Sequence, residues 1–368
     1  MSVAYWVAFN LTPGIGPMRQ RALLEHFGSL ERAWTASVEE LRRAGLDRRS
    51  IENLVQTRRT ISLEREMDRI ARSGAQVVTW EDPDYPANLR QIADAPPLLY
   101  VLGTLVPQDE WAVAIVGTRR ATVYGREVTR RLAYSLARSG VTIVSGLARG
   151  IDATAHQAAL DAGGRTIAVL GCGIDLVYPA EHRRLAERIR EQGALVSEYP
   201  LGTKPEARNF PPRNRIISGL SLGVVIAEAG ARSGALITAD YAAEQGRDVF
   251  AVPGNILNAS SVGCNQLIRD GARPVLGVED ILEELNLRLA VEQAEARTVL
   301  PSDPTEARLM ELLSEEPRHV DELGLESGLP IAVVTSTLAL MELKGMVRQV
   351  GGMHYVLARE GPPPYGIG

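Results

Sequence analysis

The chain has 368 residues, 45% of them hydrophobic, enough to bury a large core and to predict two or three domains. No apolar run reaches the roughly 18 residues of a membrane span, and the opening run Ala4–Phe9 has no basic flank and gives way to Pro13, so a cytoplasmic protein with no membrane partner is expected. A formal net charge of −5 excludes a uniformly basic nucleic-acid binder; any such site must be a local patch on an acidic body.

Residues 1–75 read as helices. The stretch Leu11-Thr12-Pro13-Gly14-Ile15-Gly16-Pro17, followed by a helix over Met18–Phe27, has the form of a helix-hairpin-helix or SAM-like domain, whose exposed turn amides can take a phosphate. A small helical domain with a glycine turn and no DNA contact fits the same pattern. Residues 76–288 form the next segment. From Trp111 onward, short apolar runs alternate with amphipathic helices, which predicts strands over Val113–Val116, Val141–Ser145, Thr166–Leu170, Ala194–Ser197, Val224–Ala227 and Asp248–Ala251. Strands separated by helix-length segments predict an α/β, Rossmann-like parallel sheet covered on both faces.

The charged, proline-bounded stretch 289–303 reads as a linker. Residues 304–360 then read as a winged helix: helices over Thr305–Leu313, Val320–Ser327 and Ile331–Leu343, and strands Val347–Gln349 and His354–Leu357 around Gly351-Gly352. Between Pro304 and Gly345, eight acidic side chains stand against three basic ones, and the third helix carries no positive charge. A phosphate-binding surface needs the opposite balance, so a protein-contact or regulatory role is expected for this domain.

The chemistry is expected in the central loops. Four glycine-bearing turns follow strands or introduce helices: Gly117-Thr118-Arg119-Arg120, Ser145-Gly146-Leu147-Ala148-Arg149-Gly150, Gly171-Cys172-Gly173, and Gly230-Ala231-Arg232-Ser233-Gly234. In an open parallel sheet such turns share the carboxyl edge, where loop amides and helix N-termini favour anions. They match neither the G-x-G-x-x-G dinucleotide fingerprint nor a P-loop, since the Gly230 turn has no lysine. No cofactor is expected. Cys172 and Cys264 have no zinc-ligand spacing, so no metal is expected either. No catalytic constellation is visible. Asp152 and His156 have i, i+4 spacing, but a capping or first-turn acid beside a packed histidine accounts for them; Glu198 and Glu228 lack an activated nucleophile.

Phe210-Pro211-Pro212-Arg213-Asn214-Arg215 places one aromatic ring and two guanidinium groups within six residues. A ring that stacks on an unpaired base, with arginines on its phosphates, is the means by which single strands are held. Together with Val116-Gly117-Thr118-Arg119, Ser145 through His156, Gly171 through Asp175, Ser233 through Ala239, Val252-Pro253-Gly254-Asn255 and Gly263 through Ile268, this run resembles the DNA processing protein A (DprA, or Smf) family over residues 80 to 280.

The resemblance implies a non-catalytic single-stranded DNA-binding protein that receives incoming DNA in natural transformation, forms a homodimer through its Rossmann-like domain and helps load the recombinase RecA. It implies a DNA-binding set of Gly117, Thr118, Arg119, Ser145, Gly146, Arg149, Lys204, Arg208, Phe210, Arg213, Asn214, Arg215, Ser233 and Gly234. In that set Arg119, Ser145, Gly146 and Arg149 line the phosphate pocket, Phe210 stacks on a base, and Arg213 and Arg215 support the backbone track. Two positions depart from the family pattern: Thr118 replaces a common serine and keeps its hydroxyl, and Ala207 stands where a lysine is frequent, with Lys204 and Arg208 as nearby substitutes. The rival reading is a nucleotide-processing phosphoribohydrolase, which would use an acid such as Glu228, or a nucleotide sensor.

Overall fold

In the structure, a computed structural model, strands β1 (Gln76–Thr79), β2 (Leu98–Gly103), β3 (Ala112–Gly117), β4 (Thr142–Ser145), β5 (Thr166–Val169), β6 (Ala194–Ser197), β7 (Gly223–Glu228), β8 (Asp248–Ala251) and β9 (Arg273–Pro274) form one sheet. Their order is β1-β2-β6-β5-β4-β3-β7-β8-β9. The structure describes residues 3–287, 304–314, 316–343 and 346–357; the linker expected over 289–303, together with Glu315 and Lys344, lies outside the described residues. The six expected strands are parallel to one another. The sheet as a whole is mixed, because β1 and β2 pair antiparallel with each other and β2 pairs antiparallel with β6. β2 is almost entirely buried. A short continuous apolar run of that kind cannot be told from a buried helix segment by periodicity.

The interiors of β2, β5 and β6 alternate between two cores. Leu98, Tyr100, Leu102, Ala168, Leu170 and Leu195 join one hydrophobic cluster, while Leu99, Val101, Ile167, Val169, Ala194 and Val196 join the other. Residues that alternate in this way point to opposite faces, so both faces are covered. The second cluster includes Ile216 and Ile217 from the helix Phe210–Gly219. The first takes in Trp6, Phe9, Leu23, Leu30, Leu41 and Leu54 from the N-terminal helices. Polar contacts reinforce that junction: Tyr100 donates its hydroxyl to Asn10 at 3.1 Å, and Asn10 donates to the Glu198 carbonyl at 3.1 Å. The glycine turn at Leu11–Gly16 joins the helices Val3–Asn10 and Pro17–Phe27. Its Pro13 carbonyl accepts from Asn53 at 2.9 Å and its Gly14 carbonyl accepts from Arg19.

The chain divides into two compact units, Met1–Arg288 and Leu289–Gly368. In the second, helices Pro304–Leu312, Val320–Ser327 and Ile331–Leu343 pack around Leu309, Leu323, Val334, Leu338 and Met341. Strands β10 (Arg318–His319), β11 (Val347–Gly351) and β12 (His354–Leu357) form a small antiparallel sheet in the order β10-β12-β11. This is the expected winged-helix order, with β10 as an addition. Its third helix exposes Ile331, Val333 and Leu340. Among the described residues no single helix is long and apolar enough to cross a membrane.

Candidate nucleic-acid interface

The chain runs from β3 outward through β4, β5 and β6, then returns to the other side of β3 as β7. The order therefore reverses between β3 and β7, and loops leaving their carboxyl ends diverge to leave a crevice. A cleft of about 580 Å³ lies there. Of the expected residues, Gly117, Thr118, Arg119, Phe210, Arg213, Asn214, Ser233 and Gly234 line it. A contiguous recess of about 40 Å³ shares Arg119, Phe210 and Arg213 with the cleft and adds Gly146 and Arg149.

The loop after β3 is fixed from several sides. Its amide at Thr118 donates to the Glu228 carbonyl at 2.7 Å. The Glu228 carboxylate accepts from the Thr122 amide at 2.8 Å, the Thr122 hydroxyl at 2.7 Å and the Ser260 hydroxyl at 2.8 Å. Thr122 then caps the helix Val123–Arg138 by accepting from the Gly125 amide at 3.0 Å. Gly150, at φ +78°, lets the β4 loop come against this backbone: a Cβ there would stand 2.8 Å from the Arg119 carbonyl oxygen. Buried Leu147 holds φ 56° in the same loop. A leucine rarely adopts that conformation, and its full burial holds it there.

Phe210 opens its helix and is half-buried. Its ring rests on Gly171, where a Cβ would stand 2.7 Å from the ring carbon Cδ1. Tyr178 lies beside it with ring centroids 5.6 Å apart and planes tilted by 35°. The guanidinium carbons of Arg119 and Arg213 stand 5.5 Å and 5.9 Å from the Phe210 centroid. Arg119 and Arg120 are exposed, and Arg119 makes no ion pair among the described residues. Arg213 is buried, donates to the Gly146 carbonyl at 3.0 Å and also to the Val169 carbonyl. Burial pushes the Asp152 carboxyl above its ordinary range while the charge of Arg213 and the amides of Ala148 and Gly146 pull it back. The result is an aromatic pair over a fixed buried charge, with the exposed Arg119 and Arg120 at the surface.

Other expected residues stand elsewhere. Ser145 is fully buried and donates its hydroxyl to the Ile115 carbonyl at 2.7 Å, so it braces β4 against β3 instead of lining the pocket. Arg215, expected on the backbone track, is turned inward. It is 6% exposed and holds Glu198 through two hydrogen bonds of 2.6 Å and Asp94 through an ion pair at 3.0 Å. Burial lowers the Arg215 pKa, and the hydrogen bonds and charge of Glu198 outweigh it and raise it. Arg149 is exposed but bidentate to Glu181 at 2.7 Å. Lys204 and Arg208 are exposed beside the lining residues Pro205 and Ala207, with Arg208 paired to Glu206 at 2.7 Å. Asn214 bridges Arg213 and the Gly234 carbonyl at 3.3 Å and 3.4 Å, and Ser233 accepts from the Ala235 amide at the head of helix Gly234–Glu244. Tyr178 was not expected. The only signal for it was an aromatic beside proline in the loop after β5.

Among the described residues no three His, Cys, Asp or Glu side chains are grouped to hold a metal. The fold and its cleft define a Rossmann-like protein with a winged-helix unit and an anion-favouring switch point. Residues 76–286 match the family described as DNA recombination-mediator protein A, and residues 292–353 match the DprA winged helix domain. Protein Smf of Synechocystis is 38% identical over 96% of this chain and 98% of its own length. Protein Smf of Escherichia coli is 45% identical over 75% of each chain. Among solved structures, the X-ray structure of DNA processing protein A from Streptococcus pneumoniae superposes with TM-score 0.69 at 36% identity, covering 76% of this chain and 97% of that one. The Helicobacter pylori DNA processing protein A, whose structure concerns its single-stranded DNA binding mode, gives 0.52 at 32% identity over 58% of this chain and 97% of its own. The chain belongs to the DNA processing protein A family, and its role is in DNA processing.

Proposed function

We propose that this chain is a non-catalytic single-stranded DNA-binding protein that protects incoming strands in natural transformation, works in the cytoplasm as a homodimer through its Rossmann-like domain, and helps load RecA. The carrying observation is the half-buried Phe210 beside Tyr178, flanked by Arg119 and Arg213 in a cleft of about 580 Å³. Two rings and a guanidinium suit an unpaired base with its phosphate better than a base inside a duplex, whose faces are already stacked. The binding mode of the H. pylori relative supports the same substrate. The proposed DNA contacts are Gly117, Thr118, Arg119, Gly146, Arg149, Phe210, Asn214, Ser233 and Gly234, with Lys204 and Arg208 on the rim and Arg213 beneath. Against the hydrolase reading stands Glu228, whose carboxylate accepts three hydrogen bonds from loop groups.

The test is a fluorescence-anisotropy titration with a single-stranded oligonucleotide and its blunt duplex at two salt concentrations. The single strand is expected to bind more tightly, with little sequence preference and an affinity that falls as salt rises. Equal or tighter duplex binding would overturn the reading. The division into 1–75, 76–288, 289–303 and 304–360 is likewise proposed; limited proteolysis is expected to cut within 289–303 and to leave 1–75 attached to 76–288, with which it shares a core.

A further inference from the structure

The motifs Pro253-Gly254-Asn255 and Gly263-Cys264-Asn265 lie outside the cleft, yet they build a second recess next to it. An open pocket of about 440 Å³ is lined by Tyr124, Pro253, Gly254, Asn255, Asn258 and Ser261. Tyr124 is half exposed, and its hydroxyl donates to the Pro253 carbonyl at 2.8 Å, which holds the ring upright at the wall. Asn265 grips Gly254 from behind: its side-chain oxygen accepts from the Gly254 amide at 3.1 Å and its Nδ2 donates to the Gly254 carbonyl at 3.0 Å. The loop is therefore set before any ligand arrives. Asn255 and Asn258 spend their side-chain oxygens on the amides of Leu257 and Ser260, at 2.9 Å and 3.1 Å. That leaves both Nδ2 groups as donors without a partner among the described residues.

An anchored, half-exposed ring beside two free amide donors fits one nucleobase: a flat face to stack and carbonyl acceptors to receive the donors. The pocket is tied to the cleft through the chain. Tyr124 is four residues past Arg120, and the Glu228 carboxylate joins Thr122 to Ser260, so the cleft loop and the pocket loop are one braced unit. We propose that Tyr124, Asn255 and Asn258 form a second base subsite for the same single strand, favouring at that one position bases rich in carbonyl acceptors such as thymine over adenine, while the strand as a whole keeps little sequence preference. This rests on the reading of the cleft as a single-strand site.

The test is abasic scanning. A single abasic position is moved along a thymine oligonucleotide of about 16 nucleotides, the upper size of the sites of OB-fold single-strand binders, and each is titrated against the wild-type chain, Tyr124→Ala and Asn255→Ala/Asn258→Ala. Wild type should show two separate positions at which base removal weakens binding. In Tyr124→Ala the affinity for the intact strand should fall about tenfold and one of the two positions should become silent. The double asparagine variant should reduce the preference for thymine over adenine, and Tyr124→Trp should restore the lost position. Two sensitive positions retained in Tyr124→Ala, or a uniform loss with none silenced, would overturn the subsite. A wild-type chain that binds no single strand would instead defeat the parent reading.

Discussion

Truncating Phe210 to alanine separates a stacking ring from a core residue. The ring is half-buried, so its removal forfeits less than the about 3–5 kcal/mol typical of a fully packed phenylalanine. What it loses in the folded chain is the tilted pairing with Tyr178, of order 0.5–1.5 kcal/mol, and its seat on Gly171. A destabilisation of about 1–2 kcal/mol follows, or roughly 2–4 °C in Tm for a unit of this size. Binding should suffer more. One lost base stack is worth about 1–3 kcal/mol, a rise in Kd of roughly 5- to 150-fold. The assay is an oligonucleotide titration at a temperature well below the variant's melting transition, with Phe210→Trp as the control that restores a ring. An unchanged Kd for the folded alanine variant, or a loss that matches an unfolded fraction seen in the melting curve, would refute stacking.

Arg119→Ala should weaken single-strand binding far more than Arg188→Ala, whose arginine is paired to Asp161 at 3.2 Å on an exposed helix, and should reduce the slope of log affinity against log salt by about 1; equal effects would remove Arg119 from the site. Deleting residues 300–368 should leave that binding largely unchanged, because the segment Pro304–Gly345 is acidic, and a tenfold loss, about 1.4 kcal/mol, would show that the winged helix engages DNA. Burial holds the His156 imidazole down to about 3, with the charges of His182 and Arg213 adding to the effect, and its Nε2 has no partner among the described residues. The unfolded chain takes up this proton near pH 6.5 and the folded chain refuses it. Stability from this group is therefore complete above that pH and falls by about 2 kcal/mol between pH 7 and 5. Urea unfolding of His156→Gln should show a flatter dependence over that window, and an identical slope would show that His156 is not the group responsible.

The glycine edges and Arg119 were legible because strand ends are: short apolar runs followed by glycine mark the carboxyl edge, and the reversal at β3 and β7 brings those ends together. The positions of the expected residues that stand away from the cleft have equally local causes. Ser145 ends a strand, and a pattern of apolar runs does not reveal whether such a hydroxyl points to the opening or back to the neighbouring strand. Arg215 lies five positions after Phe210, about 140° around the helix at 100° per residue, so helical periodicity alone sets it on the opposite side. Asn214, four positions on, shares the face of Phe210 and does line the cleft. Tyr178, the edge strands β1 and β9, and β2 between β1 and β6 carried no periodic signal, since pairing and loop convergence in the folded chain define them.

The N-terminal helices bury Trp6, Phe9 and Leu23 in the same cluster as Tyr100, Leu147 and Leu170 of the sheet domain. Such a segment is not an interchangeable module. A drift in side-chain volume at Phe9 must be answered by the layer beneath the β4 loop, so the two parts are bound to change together over evolutionary time. For an engineer the same cluster sets the minimum cassette: grafting the DNA cleft onto another protein means carrying the helices with it, whereas cutting before residue 76 would lay a broad apolar face open to water and invite aggregation.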